Sequence, residues 1–239
     1  MILHIYADYD RRLGAYKVQY ILKRDYGINI SVGRVYRLMR SMELPKMSTI
    51  KPKPGRLRTD NGECVNHLQQ LFSQDAPNLV RVSDITYLKA GGKWYYLCVL
   101  IDLFSRKAIP WRLSCKADVS LVMTAFQKAY DNRNAPYGLM FHSDRGTQYT
   151  SFAFRRLLDS LNAVQSFSKK GYPFDNAVCE CFFKYLKQEE TNRRTYHTFN
   201  ELYLSVFEYI EGYCNSRRPH ESPGYLTPNE MEAAYWRQD

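Results

Sequence analysis

The sequence predicts an α/β domain with helices packed on a mixed central sheet, preceded by a small all-α domain of helix-turn-helix type. Three observations carry this expectation. From residue 79 onward, apolar segments follow the order three strands, helix, strand, helix, strand, helix, which packs helices against a sheet. Residues 12–42 hold two short helical periodicities joined by a glycine turn. The chain has 239 residues and is 45% hydrophobic, which is enough for one full core and a small accessory domain.

Taken in order, residues 12–24 carry apolar Leu13, Tyr16, Tyr20 and Ile21 at helical spacing, and Tyr26-Gly27-Ile28 breaks the pattern. Ser31 is an N-cap for a second helix over 32–42. Val35, Leu38 and Met39 would face inward, and Arg34, Arg37 and Arg40 outward, as the second helix of a DNA-reading hairpin requires. Residues 1–44 therefore form one expected domain. Residues 45–60 contain three prolines and five bases and read as an extended basic linker. From 61 to 239 the main domain runs on, with Val65, Leu68, Leu71 and Phe72 suggesting a short entry helix.

Residues 79–88, 94–101 and 107–113 read as three strands of a meander, the first interrupted by Ser83-Asp84. Residues 118–132 are helical, with Val119, Val122, Phe126 and Ala129 at spacings of three and four. A short buried strand over 139–142 runs into Ser143-Asp144-Arg145-Gly146. A helix over 152–161, a strand over 164–167 and a flexible basic loop over 168–172 follow.

The stretch 171–190 then reads as a helix opened by Pro173 and capped by Asp175 or Asn176. Val178, Phe182, Tyr185 and Leu186 would form its core face, and Asn176, Lys184 and Lys187 would surround Glu180 on the other. Such a face suits metal and phosphate, although a solvated surface of Glu-Lys pairs has the same pattern.

Charge distribution narrows the function. The formal net charge is +10, and residues 1–60 hold 13 Lys and Arg against 5 Asp and Glu, leaving 21 against 19 for the rest. A concentrated basic segment before a near-neutral body points to nucleic acid. No apolar run is long enough for a membrane helix, and residues 1–9 lack the pattern of a secretory signal. Six cysteines without a Cys-x-x-Cys pair fit reduced thiols in the cytoplasm and argue against a zinc site. Cys179 and Cys181 read as small helix residues, and His142 as structural. Twenty tyrosines alone do not make the Arg/His/Tyr cluster of a tyrosine recombinase.

Three acids stand at element ends: Asp84 in the first strand, Asp144 past the fourth and Glu180 in the last core helix. Hard oxygen ligands in that number favour Mg²⁺ or Mn²⁺, and a pair of such ions supports in-line phosphodiester displacement. Fifty-nine residues separate Asp84 from Asp144, and 35 separate Asp144 from Glu180.

That spacing resembles the DD(35)E arrangement of retroviral integrases and bacterial transposases. With Ser83-Asp84-Ile85-Thr86-Tyr87, His142-Ser143-Asp144-Arg145-Gly146, Asn215-Ser216-Arg217-Arg218-Pro219-His220 and Leu226-Thr227-Pro228, the chain resembles OrfB-type transposases of the IS-three insertion-sequence family over most of residues 11–230. The resemblance implies an RNase H-like fold, with Asp84, Asp144 and Glu180 as ligands of two metal ions. It implies donor-strand cleavage followed by transfer of the free 3′-OH. Asn176 and Lys187 match positions that touch DNA near the scissile phosphate, and Lys169 and Lys170 lie in the covering loop.

Expected partners are the element's terminal inverted repeats, target DNA, further copies of the chain on DNA, and an OrfA-type polypeptide or fusion, with no membrane. The chain departs from the family in having Arg81 where many members have tryptophan three residues before the first acid, which reads as a packing change. A repressor that kept the fold and a nuclease that cuts without joining are the rival readings.

Overall fold

The computed structural model describes residues 1–44, 64–133, 135–222 and 224–237. The stretch read as the 45–60 linker lies outside the described residues. The chain divides into two units, Met1–Pro52 and Lys53–Asp239.

The first unit holds α1 (Ile2–Asp8), α2 (Ala15–Tyr26) and α3 (Val32–Ser41). Asp10 and Arg11 take positive φ, which ends α1 and delays α2 to Gly14 as its N-cap, three residues later than the periodicity suggested. Gly27 closes α2 at φ 65°, where a side chain would be strained, and the Ile28 amide donates to the Leu22 carbonyl at 2.9 Å. Ser31 caps α3 by accepting from the Arg34 amide. Ile2, Ile5, Leu13, Val18, Ile21, Leu22 and Val35 form the unit's core. Arg34, Arg37 and Arg40 are exposed on α3.

In the second unit β1 (Val80–Ala90), β2 (Lys93–Asp102) and β3 (Ala108–Ser114) form the meander. α4 (Val119–Asp131), β4 (Met140–Ser143), α5 (Phe152–Ser160) and β5 (Val164–Phe167) follow. The sheet order is β3-β2-β1-β4-β5, with the meander antiparallel and β1, β4 and β5 parallel. β1 is continuous through Ser83-Asp84, because both residues keep their register with Leu100 and Val99. Phe126, Phe141, Tyr149 and Phe154 interlock beneath the sheet with ring centroids 5.1–6.0 Å apart, and this cluster is the main core.

The entry helix expected after residue 61 does not form in the described stretch from residue 64. Gln69 and Gln70 are left-handed, the Asn66 side chain accepts from the Gln69 amide, and the Ser166 hydroxyl accepts from the His67 and Leu68 amides. Side chains thus take the donors that a helix would use. Leu68 is buried all the same.

A 3₁₀ turn, Pro173–Asn176, leads into α6 (Ala177–Leu186), which continues as a π-helical turn, Lys187–Thr191. The 3₁₀ start changes the phase, since it winds at about 120° per residue rather than 100°. That shift moves 173–176 relative to α6; within α6 itself the buried face is Cys179, Phe182, Phe183 and Leu186, with Val178 and Tyr185 only half-buried. The tail contributes α7 (Phe199–Phe207), a π-helical segment Glu208–Cys214, and α8 (Pro228–Trp236) with a Thr227/Glu230 capping box.

Arg81 is fully buried within β1. Its Nη2 donates to Asn78 Oδ1 at 3.1 Å. Burial, opposed in part by Asp102 and Glu232, pushes its pKa down to about 10. Around it, Glu232 of α8 pairs with Arg133 and, at 3.1 Å, with Lys107, so this buried charge network fastens α8 to the sheet.

Candidate active site

Asp84 sits in the middle of β1, the strand shared by the antiparallel and parallel halves of the sheet. β4 runs parallel beside it with Ser143 opposite Ser83, so Asp144 emerges next to Asp84 at the strand's end. α6 packs across β1 and β2 and contributes Glu180 from its first turn, where the helix dipole favours an acid.

These three carboxylates interact. Burial raises the Asp84 pKa to about 7, with Asp144 and Glu180 adding repulsion and the Ile85 amide and Lys187 opposing it. Asp144 stands open at the rim, and the protein around it raises its pKa by desolvation, against the Gly146 amide that donates to Oδ1 at 2.9 Å. Desolvation raises Glu180 as well. Gly146 serves this geometry, since a Cβ there would lie 3.0 Å from Asp144 Oδ1.

Among the described residues, no three His, Cys, Asp or Glu side chains close into a metal-enclosing group. What the acids share is an electrostatic coupling felt at Asp84, and their donors are all oxygen, the ligand type that suits a hard cation.

A buried polar layer supports them. The Ser83 hydroxyl meets Tyr149 Oη at 2.9 Å, and Asn176 Nδ2 donates to the Ser83 carbonyl at 3.2 Å. Asn176 is therefore buried and ties the 3₁₀ turn to β1, rather than lying on an open face beside Glu180 as the helical wheel placed it. Its Oδ1 has no hydrogen-bond partner among the described residues.

Lys187 is half-buried. Burial lowers its pKa, Asp84 raises it, and Nζ lies 4.8 Å from the Tyr87 ring centroid. Lys184 is exposed, with Nζ 5.9 Å from the Tyr185 ring. Lys169 is exposed and Lys170 half-buried, and their loop is pinned by Asp175, which accepts from the Lys169 amide at 2.8 Å.

The other candidates resolve simply. His142 is buried between Ser166 and Ser168, and burial pushes its pKa down to about 4, leaving it neutral and structural. Cys179 is buried while Cys181 is exposed, so the two point apart.

Residues that the motifs contained but did not explain hold α6 in place. The Arg218 guanidinium grips Glu189 with Nε at 2.8 Å and Nη2 at 2.8 Å, both buried, and stacks 4.0 Å from the Tyr185 ring centroid. Tyr209 Oη donates to Glu189 at 2.8 Å. Asn215 pairs with the backbone of Ala108 on the edge strand β3 in both directions, each at 3.0 Å. The tail motif is thus a clamp on the helix that carries Glu180.

The Asp84 shift sets a pH dependence. Between its ordinary 3.8 and about 7 the folded protein keeps a proton that the unfolded chain has released, so stability falls as pH rises through that window. Asp84→Asn should melt several degrees above wild type at pH 8 in chelator, about 2–4 °C per kcal/mol relieved. The two melting curves should converge towards pH 4. A variant that melts no higher at pH 8 would show that the carboxylate carries no such penalty.

Comparison with known proteins agrees with this architecture. Family models described as integrase core domain match residues 74–173 and 180–234, and one described as HTH-like domain matches residues 2–53. The transposase for insertion sequence element IS904 of Lactococcus lactis is 35% identical over 95% of this chain and 90% of its own length. Transposase InsF for insertion sequence IS3A of Escherichia coli is 38% identical over 70% of this chain and 58% of its own length.

A 97-residue stretch is also 53% identical to a Lactococcus lactis protein named ATP-dependent protease, over 31% of that protein, too small a share to assign a family. In fold, the chain superposes on a simian T-cell lymphotropic virus intasome chain with TM-score 0.52 at 14% identity, covering 97% of this chain and 74% of that one. It superposes on the catalytic core domain of BIV integrase with TM-score 0.50 at 15% identity, covering 67% and 97%. The fold is the RNase H-like fold of integrases. With an HTH-like segment, an integrase core and a relative matched over nearly its whole length, the chain belongs to the insertion-sequence transposases of the IS3 family, enzymes of polynucleotidyl-transferase type.

Proposed function

We propose that Asp84, Asp144 and Glu180 are the catalytic carboxylates, and that this centre cleaves one strand at each end of its element and joins the freed 3′-OH to target DNA. The placement carries the reading, with Asp84 in central β1, Asp144 just past the neighbouring parallel β4 and Glu180 on α6 across β1, and the repulsion from both acids that helps raise the Asp84 pKa supports it. Repelling oxygens of this kind fit Mg²⁺ or Mn²⁺, held as two ions by the three acids. When bound, the ions supply Lewis acidity to the attacking and leaving oxygens.

The chain's own residues do the positioning. Lys187 offers a desolvated cation beside Asp84 to a DNA phosphate, and Lys184, Lys169 and Lys170 extend that contact along the backbone. Asn176 acts from beneath, its Nδ2 holding the 3₁₀ turn on the Ser83 carbonyl. In residues 1–44, Arg34, Arg37 and Arg40 form a basic row on α3 for DNA. The chain acts in the cytoplasm as a homo-oligomer on terminal inverted repeats and target DNA, with an OrfA-type partner or fusion. Among the described residues, no helix is long and apolar enough to cross a membrane.

The test is joining of a labelled, precleaved element end to target DNA, with and without an OrfA-type partner. Products should need Mg²⁺ or Mn²⁺ and vanish with chelator; cutting without joining would favour a nuclease. Binding of the same end should weaken by about 10³-fold or more between 50 and 200 mM salt if six or more phosphates are neutralised. A flat response would remove the basic surfaces from the account.

A further inference from the structure

Beyond the carboxylates, β1 and β2 run on into a hairpin tip, and beside it lies a groove of about 550 Å³ bordered by the turn that follows α6. That volume lies within the roughly 300–1,000 Å³ of small-molecule sites. Its walls combine two chemistries. Tyr87 and Trp94 are 59% and 52% exposed and meet edge to face at 5.2 Å, diagonal neighbours across the strand pair. Lys89 lies opposite Trp94 with Nζ 5.7 Å from its ring, and Lys187 covers Tyr87. Arg194, held by Glu190 at 3.3 Å, and Asn192 complete the far side. Among the described residues lining the groove there is no Asp or Glu.

The groove is built rather than incidental. Gly91 at the hairpin tip has φ 53°, and a Cβ there would lie 2.5 Å from the His197 carbonyl. Its amide donates to the Tyr196 carbonyl at 2.9 Å, so the tip is docked on the 196–197 backbone. Two exposed rings that would otherwise cost hydration are held open on this rigid frame.

We propose that this groove binds unpaired nucleotides of a DNA strand, stacking bases on Trp94 and Tyr87 while Lys89, Lys187 and Arg194 follow the phosphates. Stacking platforms interleaved with cations are how single strands are held without sequence readout, whereas the interior base pairs of a duplex offer no base face to the rings. Lys187 neighbours both Asp84 and Tyr87, so the bound segment would be the few nucleotides next to the cleavage point, frayed from the duplex. This deepens the proposed function by naming a state of the DNA substrate, and rests on that reading for the substrate being DNA.

The test uses the full chain in chelator, so that nothing is cut, and fluorescence anisotropy of labelled element ends that are either blunt or carry a short unpaired tail. Wild type should bind the tailed end about tenfold more tightly, the size expected from stacking one base. Trp94→Ala and Tyr87→Leu should lose that preference and leave blunt-end affinity unchanged, and Trp94→Phe should keep it.

Equal affinity of wild type for both ends would overturn the proposal, as would a preference that survives Trp94→Ala, or a parallel loss on both ends. Tighter binding of an RNA tail than of the DNA tail would overturn DNA as the occupant. Joining assays report separately on the carboxylates: tail preference without joining would sink the catalytic reading and spare the groove, and the reverse result would do the opposite.

Discussion

Glu180→Gln is expected to reduce joining of a precleaved element end at least ~10³-fold, equivalent to about 4 kcal/mol of lost transition-state stabilisation. Glutamine keeps the shape and one oxygen of the side chain but removes the charge that would hold a divalent ion. Glu180 is exposed in the first turn of α6 and makes no fold contact comparable with Glu189, so melting temperature should barely move. Asp144→Asn should match it in joining, since the Gly146 amide can still donate to the amide oxygen. End binding in chelator should survive in both variants. Joining at near wild-type rates by either variant would remove that residue from the catalytic centre.

Arg218→Met is expected to be the most destabilising single change outside the hydrophobic core. It would remove the guanidinium from the buried Glu189 carboxylate, which the Tyr209 hydroxyl also contacts, and breaking a buried pair in this way costs about 3–5 kcal/mol. At roughly 2–4 °C per kcal/mol for a unit of this size, the melting temperature should drop by about 6–20 °C. Combining it with Glu189→Gln should restore much of the loss, because the uncompensated charge is then gone. A single variant that melts with wild type would mean that the pair contributes nothing net. The same variant should lose joining ahead of melting, as α6 loosens.

Much of the catalytic unit was legible in the sequence because its signals are local. Strand β5 falls on residues 164–167 as read, Ser31 caps α3, and three acids with 59 and 35 residues between them stand out against near-neutral surroundings. What could not be read depends on contacts made at a distance. The side chain of Asn176 looked like part of an exposed face until the Ser83 carbonyl, 93 residues earlier, claimed it. Arg218 stood in a quoted motif and Glu189 in the helix read over 171–190, but a pair 29 residues apart leaves no periodicity. Arg81 sat in an apolar strand with partners on four other segments. The short helix expected near residue 65 failed for a similar reason, since Ser166, from β5, supplies its caps.

The tail clamp also imposes an order in time. A ribosome has made all three acids once residue 180 is synthesised, but Arg218 follows 38 positions later and Glu232, which fastens α8, later still. Until those residues emerge, the helix bearing the third acid is held at its far end by Tyr209 and Ser205 but lacks the charged half of its clamp. The nascent polypeptide therefore carries the complete acidic set before it can hold that set in place, and a product that stops short of Arg218 would keep the basic N-terminal unit while lacking a competent centre. On the proposed assignment, such a product is expected to occupy element ends without cutting them, and so to compete with the intact enzyme rather than act as a weaker copy of it.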